Sequence, residues 1–184
     1  MALLAPSRTQ WARHPFQALD DAVERRVDKV RSPALDRVAY PLSSAADHSL
    51  LWHAAGIVRA IKLDDPMFAV RFSAAMGVES FLTNVVVKSV FQRLRPHRPP
   101  DAPMLYGLRR PITSSFPSGH ATAAFCAASL LAPGSAAPAA WYALAALVAA
   151  TRVYVRLHHT TDVIAGAAFG VALGHALRPF VCPS

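Results

Sequence analysis

Charge is scarce in this chain, and most of what is present has one sign. Of 184 residues only 16% are charged against 53% hydrophobic, and 19 Lys and Arg stand against 11 Asp and Glu. The two cysteines, Cys126 and Cys182, lie far apart and match no metal-ligand spacing, so both are expected as free thiols. No cluster of carboxylates offers a magnesium site, and no metal or other cofactor is called for. Stretches of alternating apolar and polar residues, the mark of half-buried strands, are missing. The segment Met1 to Trp11 holds a single four-residue apolar run, Ala2 to Ala5, too short for the apolar region of a signal peptide. Insertion into a membrane is expected to rely on later segments.

The length suits a single domain, 1–184, with an N-terminal amphipathic and interfacial segment over 1–45 and a helical catalytic core over 46–180. A mean hydropathy of +0.28 lies between soluble globules and densely apolar transporters, which fits a small membrane protein. The net charge of +8 favours an anionic partner: nucleic acid, lipid headgroups or a phosphate-bearing substrate. Several Lys and Arg sit at the ends of long apolar runs and not along a polar face, which argues against nucleic acid and for membrane lipids and a lipid phosphate.

The pattern predicts an all-α, multi-pass transmembrane bundle with about five spans behind an N-terminal amphipathic helix. That helix is read from Pro15 to Val30, where Phe16, Leu19, Val23 and Val27 recur at helical spacing; it either packs on the domain or lies in the membrane interface. Pro33 and Pro41 are expected to break the next segment. A short or tilted first span covers Ser49 to Ile61, extendable to Ala45–Leu63, and a second covers the 22 residues from Met67 to Lys88. After an Arg- and Pro-rich loop from Gln92 to Phe116, a third, Ala-rich span opens at Pro117 and ends near Ala132. The fourth runs from Ala139 to Val155 and the fifth from Asp162 to Leu177. Gly166, Gly170 and Gly174 form a small-xxx-small pattern on the fifth, expected to pack against the Ala-rich third or fourth span, a second copy of the chain being the alternative.

Three polar clusters interrupt this apolar background, and ionisable groups there need partners or a function. They are Lys88 to Pro96 after span two, Pro117-Ser118-Gly119-His120 at the start of span three, and Arg152 to Asp162 between spans four and five. Alternating span directions put all three on one membrane face. Lys88, Arg95 and Arg152 then make a cationic pocket for an anion of about two charges, and the N–H groups around Ser118 and Gly119 add donors at a helix start. A neutral imidazole can attack phosphorus if a partner fixes its tautomer; Asp162 lies one helical turn from His158, leaving His120 to protonate the departing oxygen. His159 is also within reach of Asp162 by spacing.

The clusters K-x6-R-P, P-S-G-H and R-x5-H-x3-D, in this order, resemble the three-part signature of the type 2 phosphatidic acid phosphatase superfamily, with vanadium haloperoxidases and bacterial acid phosphatases among its relatives. The resemblance spans Lys88 to Asp162. It implies phosphate binding by Lys88, Arg95, Ser118, Gly119 and Arg152, an acid role for His120, a nucleophilic role for His158 over His159, and Asp162 as its orienting partner. Thr151 stands where the family often has Ser. The family's substrates include phosphatidic acid, phosphatidylglycerol phosphate and polyprenyl diphosphates. The Ala- and Arg-rich composition and the segment Ala46-Asp47-His48-Ser49 are further similar to its decaprenylphosphoryl-5-phosphoribose phosphatase branch.

Among the remaining polar residues, His53 and His175 are expected to be hydrogen-bonded packing residues within spans, and Glu79 to pair with a buried Arg or His, contact with the substrate headgroup being the alternative. Trp52, Trp141 and Tyr142 are expected at interfaces or facing lipid. Arg93, Arg98, Arg109 and Arg110 read as a solvated loop beside the pocket that can attract anionic headgroups. Fifteen of the 19 Lys and Arg fall on the side of the pocket, which by the positive-inside rule predicts a cytoplasmic site in the cell membrane.

Overall fold

A computed structural model describes residues 16–97 and 113–182. Eight α-helices make up the described chain: α1 Gln17–Val30, α2 Pro33–Ala45, α3 Leu50–Leu63, α4 Pro66–Phe81, α5 Lys88–Val90, α6 Gly119–Leu131, α7 Pro138–Tyr154 and α8 Thr160–Val181. A 3₁₀ turn, Asp47–Ser49, precedes α3, and a π-helical turn, Leu82–Val87, fuses α4 to α5. No strand occurs among the described residues.

Local signals explain most boundaries. Ser32 accepts a hydrogen bond from the Leu35 N–H at 3.3 Å and Pro33 fills the first helical position, so α2 starts there. The same pairing of an acceptor with proline opens α4, where Asp65 accepts from the Phe68 N–H at 3.2 Å ahead of Pro66. Asp64 ends α3 in the left-handed conformation, its N–H returning to the Ala60 and Ile61 carbonyls. Pro41, expected to break its segment, is instead carried inside α2. Two buried anchors hold that helix in place, the nearly inaccessible Tyr40 against Val155 and Leu157, and Ser43 against Arg152.

The bundle is organised around α6, ten of whose 13 residues are buried. Its closest neighbour is α8, and the glycine series of α8 faces it. A Cβ at Gly166 would sit 2.6 Å from the Ser118 carbonyl oxygen, and one at Gly174 would sit 2.5 Å from Ser129 Cβ. The small-xxx-small pattern is therefore spent inside the chain, on the Ala-rich third segment. A second core layer joins α3 and α4, where Trp52, Phe68, Phe72 and Met76 pack on Leu130 and Leu131. Trp52, expected to face an interface or lipid, is wholly inaccessible here: its large ring fills the space between α3 and the core. Trp141 and Tyr142 pack half-buried on the same cluster.

Apolar side chains also cover the outside. Ile57, Ile61, Val70, Val78, Phe81, Leu147, Ile164 and Phe180 are all exposed, a surface that suits lipid and not water. Two helical stretches among the described residues, 66–90 and 160–181, are long and apolar enough to cross a bilayer. Only 17% of the most apolar window of α8 is buried in the protein, unlike the core helix of a soluble domain. The other three expected spans are shorter, with 14 residues in α3, 13 in α6 and 17 in α7. At about 1.5 Å per residue none of the three reaches across a core of about 30 Å unaided.

The α6–α8 contact should be the least forgiving in the protein. Gly170→Val places methyl groups against the Thr122 carbonyl and the Cys126 N–H, and is expected to cost about 3 kcal/mol or to prevent folding. Gly77→Ala, where a Cβ meets nothing within 4 Å, should leave thermal melting in detergent unchanged or slightly raised.

Candidate active site

The three polar clusters meet at one end of the bundle. They enclose a cavity of about 770 Å³ whose wall includes Lys88, Arg95, Gly119, His120, Arg152 and His158. Ser118 and Asp162 lie directly behind that wall, both buried, and the Ser118 N–H donates to the Asp162 carbonyl at 3.0 Å. All eight residues singled out from the sequence are thus brought together. Loop residues Arg98, Arg109 and Arg110 lie outside the described residues.

Each cation is aimed by a different device. The π-turn before α5 delivers Lys88, whose ammonium donates to Asn84 Oδ1 at 2.8 Å. Gly119 makes room for that pair: a Cβ there would stand 3.0 Å from Asn84 Oδ1 and 3.4 Å from Lys88 Nζ. Arg95 is braced by the Leu157 carbonyl at 2.6 Å and the Ser114 carbonyl at 3.3 Å. Arg152 is 2% exposed; one of its terminal nitrogens donates to Ser43, while its Nε has no hydrogen-bond partner among the described residues.

The geometry around His158 differs from the expected contact with Asp162. Nδ1 lies 2.7 Å from the Ser115 backbone oxygen, and a carbonyl can only accept, so Nδ1 carries the hydrogen. Nε2 is left with the lone pair, facing the cavity and accepting from Arg95 at 3.1 Å. Asp162 Oδ2 is 3.8 Å from Nδ1, too far for a direct hydrogen bond. The carboxylate is drawn elsewhere because it sits in the first turn of α8, where N–H groups are free: it accepts from the His159 N–H at 2.9 Å and from Ser115 Oγ at 2.5 Å. Ser115 therefore links the two, its carbonyl on the imidazole and its hydroxyl on the carboxylate. Burial, then the neighbouring Arg95 and Arg152, push the His158 imidazole down to about 3 against the opposing pull of Asp162, which keeps it neutral at physiological pH.

Arg93 corrects the sequence reading most. Expected in a solvated loop, its side chain is only 10% exposed and bridges two buried carboxylates, Asp162 at 2.5 Å and Asp20 at 2.6 Å. Asp20, on α1, also accepts from the Thr161 N–H at 2.9 Å and hydroxyl at 2.8 Å. A buried carboxylate needs such compensation, and here it comes from two segments distant in sequence, Arg93 beyond α5 and Thr161 at the start of α8. The amphipathic helix is thereby packed on the domain: Val23 and Val27 meet the cluster around Ala149 and Val163. His159 belongs to the same junction, 2.9 Å from Glu24, while His158 alone of the two lines the cavity.

On the opposite wall His120 Nε2 lies 2.8 Å from Asp47 Oδ1, and Arg152 is 4.0 Å from the same oxygen. Two consecutive left-handed residues, His48 (φ 53°) and Ser49 (φ 59°), follow Asp47, a conformation costing about 1–2 kcal/mol for each non-glycine residue. Partial burial works to raise the Asp47 carboxyl, but the hydrogen bond from His120 and the charges of His120 and Arg152 outweigh it and hold it below the usual carboxylate range. Asp20, Asp47, Arg93 and Ser115 were all missed as contributors to the site. Each stands beside other polar residues in sequence, Asp20 next to Asp21, Asp47 next to His48, Arg93 within the Lys88 to Pro96 cluster and Ser115 next to Ser114, and that proximity does not say what it meets in the fold. His53 bonds Ser73 on α4 as a packing residue would, Glu79 accepts from the Thr83 hydroxyl where an Arg or His was expected, and His175 is exposed and bonds the Val171 carbonyl of its own helix; His53 and Glu79 also line the cavity.

The model of the PAP2 superfamily matches residues 68–181, which include every residue of the three clusters. The chain is similar to the decaprenylphosphoryl-5-phosphoribose phosphatase of Mycolicibacterium smegmatis, 36% identical over 131 residues that cover 70% of this chain and 69% of that one. It is 27% identical over 145 residues to the protein of the same name from Mycobacterium tuberculosis H37Rv, covering 79% and 80%. Among solved structures, the PAP2-type phosphatidylglycerolphosphate phosphatase of Bacillus subtilis superimposes with a TM-score of 0.72 at 24% identity, covering 94% and 89% of the two chains. LpxE of Aquifex aeolicus gives a TM-score of 0.66 at 23% identity, with 86% and 94% covered.

Two measurements bear on this arrangement. The His158 imidazole binds its proton near pH 6.5 when unfolded and near 3 when folded, so the unfolded chain holds more protons between these values and stability is lost as the pH is lowered through this range. His158→Gln should remove that share of the acid sensitivity, seen as a shallower loss of melting temperature between pH 7 and 4. Arg93→Met strands two buried carboxylates and should cost about 3 kcal/mol or more; adding Asp20→Asn should recover part of that loss.

Proposed function

We propose a substrate and a chemical course for this lipid phosphatase, which belongs to the PAP2 superfamily: it removes a phosphate monoester from a polyprenyl-linked sugar phosphate of the decaprenylphosphoryl-5-phosphoribose type, through a phosphohistidine on His158. The observation that carries the chemistry is the neutral His158 Nε2 at the wall of a cavity holding Lys88, Arg95 and Arg152. The lipid assignment rests on the mycobacterial relatives' substrate name.

In this reading the phosphate dianion sits among the three cations, with the free N–H groups at the start of α6, around Ser118 and Gly119, on its oxygens. Arg95 exchanges its contact with Nε2 for the phosphate and frees the lone pair. Nε2 attacks phosphorus as the bond to the ester oxygen breaks, and His120 gives that oxygen a proton. The positive charge gained by His158 is met by the Ser115 carbonyl on Nδ1 and by Asp162 just beyond it. Water then attacks the phosphohistidine, its proton passing to His120, and inorganic phosphate leaves. Lys88, Arg95 and Arg152 neutralise the transferring group throughout, so no metal is needed.

We also place a single catalytic domain in the cell membrane, crossing it about five times, with the site on the cytoplasmic face. Charge supports this orientation: Arg59, Arg71 and Arg178 bond to the Pro133, Val181 and Ser129 carbonyls at the end away from the site, whereas Lys88, Arg93, Arg95, Arg152 and Arg156 gather at the site's end.

The full chain purified in detergent should release phosphate from a lipid-linked sugar phosphate faster than from phosphatidylglycerol phosphate or a polyprenyl diphosphate, and should keep its activity in EDTA. His158→Ala should lose essentially all turnover. His120→Ala should lose about 100-fold or more on an alkyl phosphate ester and much less on an aryl phosphate, whose oxygen leaves without a proton. Absence of phosphate release from every lipid in the panel would point to a binding or lipid-moving protein instead.

A further inference from the structure

We propose that Asp47 is a positioning residue for the leaving-group acid: its carboxylate orients the His120 ring and keeps on it the proton that the departing oxygen receives. This rests on the reading of His120 as that acid, and adds a residue outside the stretch 68–181 matched by the family model.

Three cations are what make the cavity a phosphate site, and the same cations make it a poor place for a protonated imidazole. Lys88 reaches it from α5, Arg95 from the segment beyond, and Arg152 from α7. The histidines on the wall, His48, His53 and His158, add no negative charge. Among the described residues two carboxylates line the cavity, Glu79 and Asp47. Glu79 is turned toward Thr83, accepting its hydroxyl at 2.9 Å. Asp47 is the carboxylate on His120, at 2.8 Å from Nε2. An ionised carboxylate can only accept, so Nε2 carries a hydrogen, and Nδ1 is the nitrogen left for the leaving oxygen. With the ring doubly protonated, Nδ1–H is delivered as the P–O bond breaks, and Nε2–H stays on Asp47. In the second half Nδ1 takes a proton from the attacking water, and the ring returns to its starting state.

The backbone supports a dedicated placement. Asp47 opens a 3₁₀ turn whose other two residues, His48 and Ser49, are left-handed without being glycine, a conformation retained although it is unfavourable, and the turn holds the carboxylate over the first turn of α6. Helix α2 delivers this turn, and its Ser43 hydroxyl accepts from Arg152 on the neighbouring wall.

The test compares kcat and KM for the full chain and for Asp47→Asn, Asp47→Glu, His120→Ala and Asp47→Asn/His120→Ala, on phosphatidic acid, whose leaving group is an alkyl alcohol, and on p-nitrophenyl phosphate. Asp47→Asn is expected to lower kcat on the alkyl ester by about 10- to 100-fold while changing the aryl ester by less than about 3-fold. The alkaline limb of kcat on the alkyl ester should move to lower pH. Asp47→Glu should recover part of the loss, and the double variant should match His120→Ala. Equal losses on both esters with an unmoved pH profile would reduce Asp47 to a structural residue and overturn the proposal. A lower KM with unchanged kcat would overturn it too, showing a carboxylate that merely occupies the place of the anion. If His120→Ala itself affects both esters alike, the acid assignment fails; if it separates them and Asp47→Asn does not, only the present inference falls.

Discussion

Backbone approaches backbone where α6 crosses α8, and the geometry of the site depends on that crossing. Gly166, Gly170 and Gly174 leave no side chain between the helices, so the Ser118 carbonyl and the first turn of α6 lie directly against α8. The Ser118 N–H then reaches the Asp162 carbonyl. A helix start that carries Gly119 and His120 is thereby joined to the helix start that follows His158. In lipid, where apolar side chains gain little by leaving one another for the bilayer, such close contact is what holds helices together. The apolar exterior of α3, α4, α7 and α8 is consistent with that setting.

A second constraint is electrostatic. Lys88, Arg95 and Arg152 converge on one cavity, and burying like charges together is unfavourable until an anion arrives. The resting protein lessens the strain with backbone carbonyls on Arg95, the amide of Asn84 on Lys88 and the Ser43 hydroxyl on Arg152. None of these is a full counter-charge; Asp47, 4.0 Å from Arg152, offsets part of the charge, and the cavity keeps an excess of cations that favours an anion. Behind the wall the balance is reversed: Asp162 and Asp20 are both negative and share Arg93. Helix α1, which the sequence alone left open between packing on the domain and lying in the membrane interface, supplies one of those carboxylates. Helix α1 therefore helps to hold His158 in place, through Arg93, Asp162 and Ser115.

Much of this was legible from residue order. The helical class followed from the absence of strand alternation and the length of the apolar runs. The eight pocket residues followed from the spacing of three polar clusters and from the direction in which consecutive helices must run. Boundaries marked by proline and by capping residues, such as Ser32-Pro33 and Asp65-Pro66, were readable because a cap acts over one turn. Pro41 was misread for the same reason in reverse: proline breaks a helix on local grounds, and packing of Tyr40 and Ser43 keeps this one intact.

The residues of one cluster were determined by the sequence itself, because chemistry and spacing along a single helix are local properties. What each buried charge touches was decided only by the tertiary structure. Asp20 meets Arg93 across 73 positions, and Asp47 meets His120 across another 73. Ser115 came between His158 and Asp162 although helical spacing favoured a direct bond. Long-range pairings of this kind carry no periodicity, since a lone carboxylate reads the same in the chain whether it ends in solvent or against an imidazole; only the packing of helices brings its partner within hydrogen-bond distance.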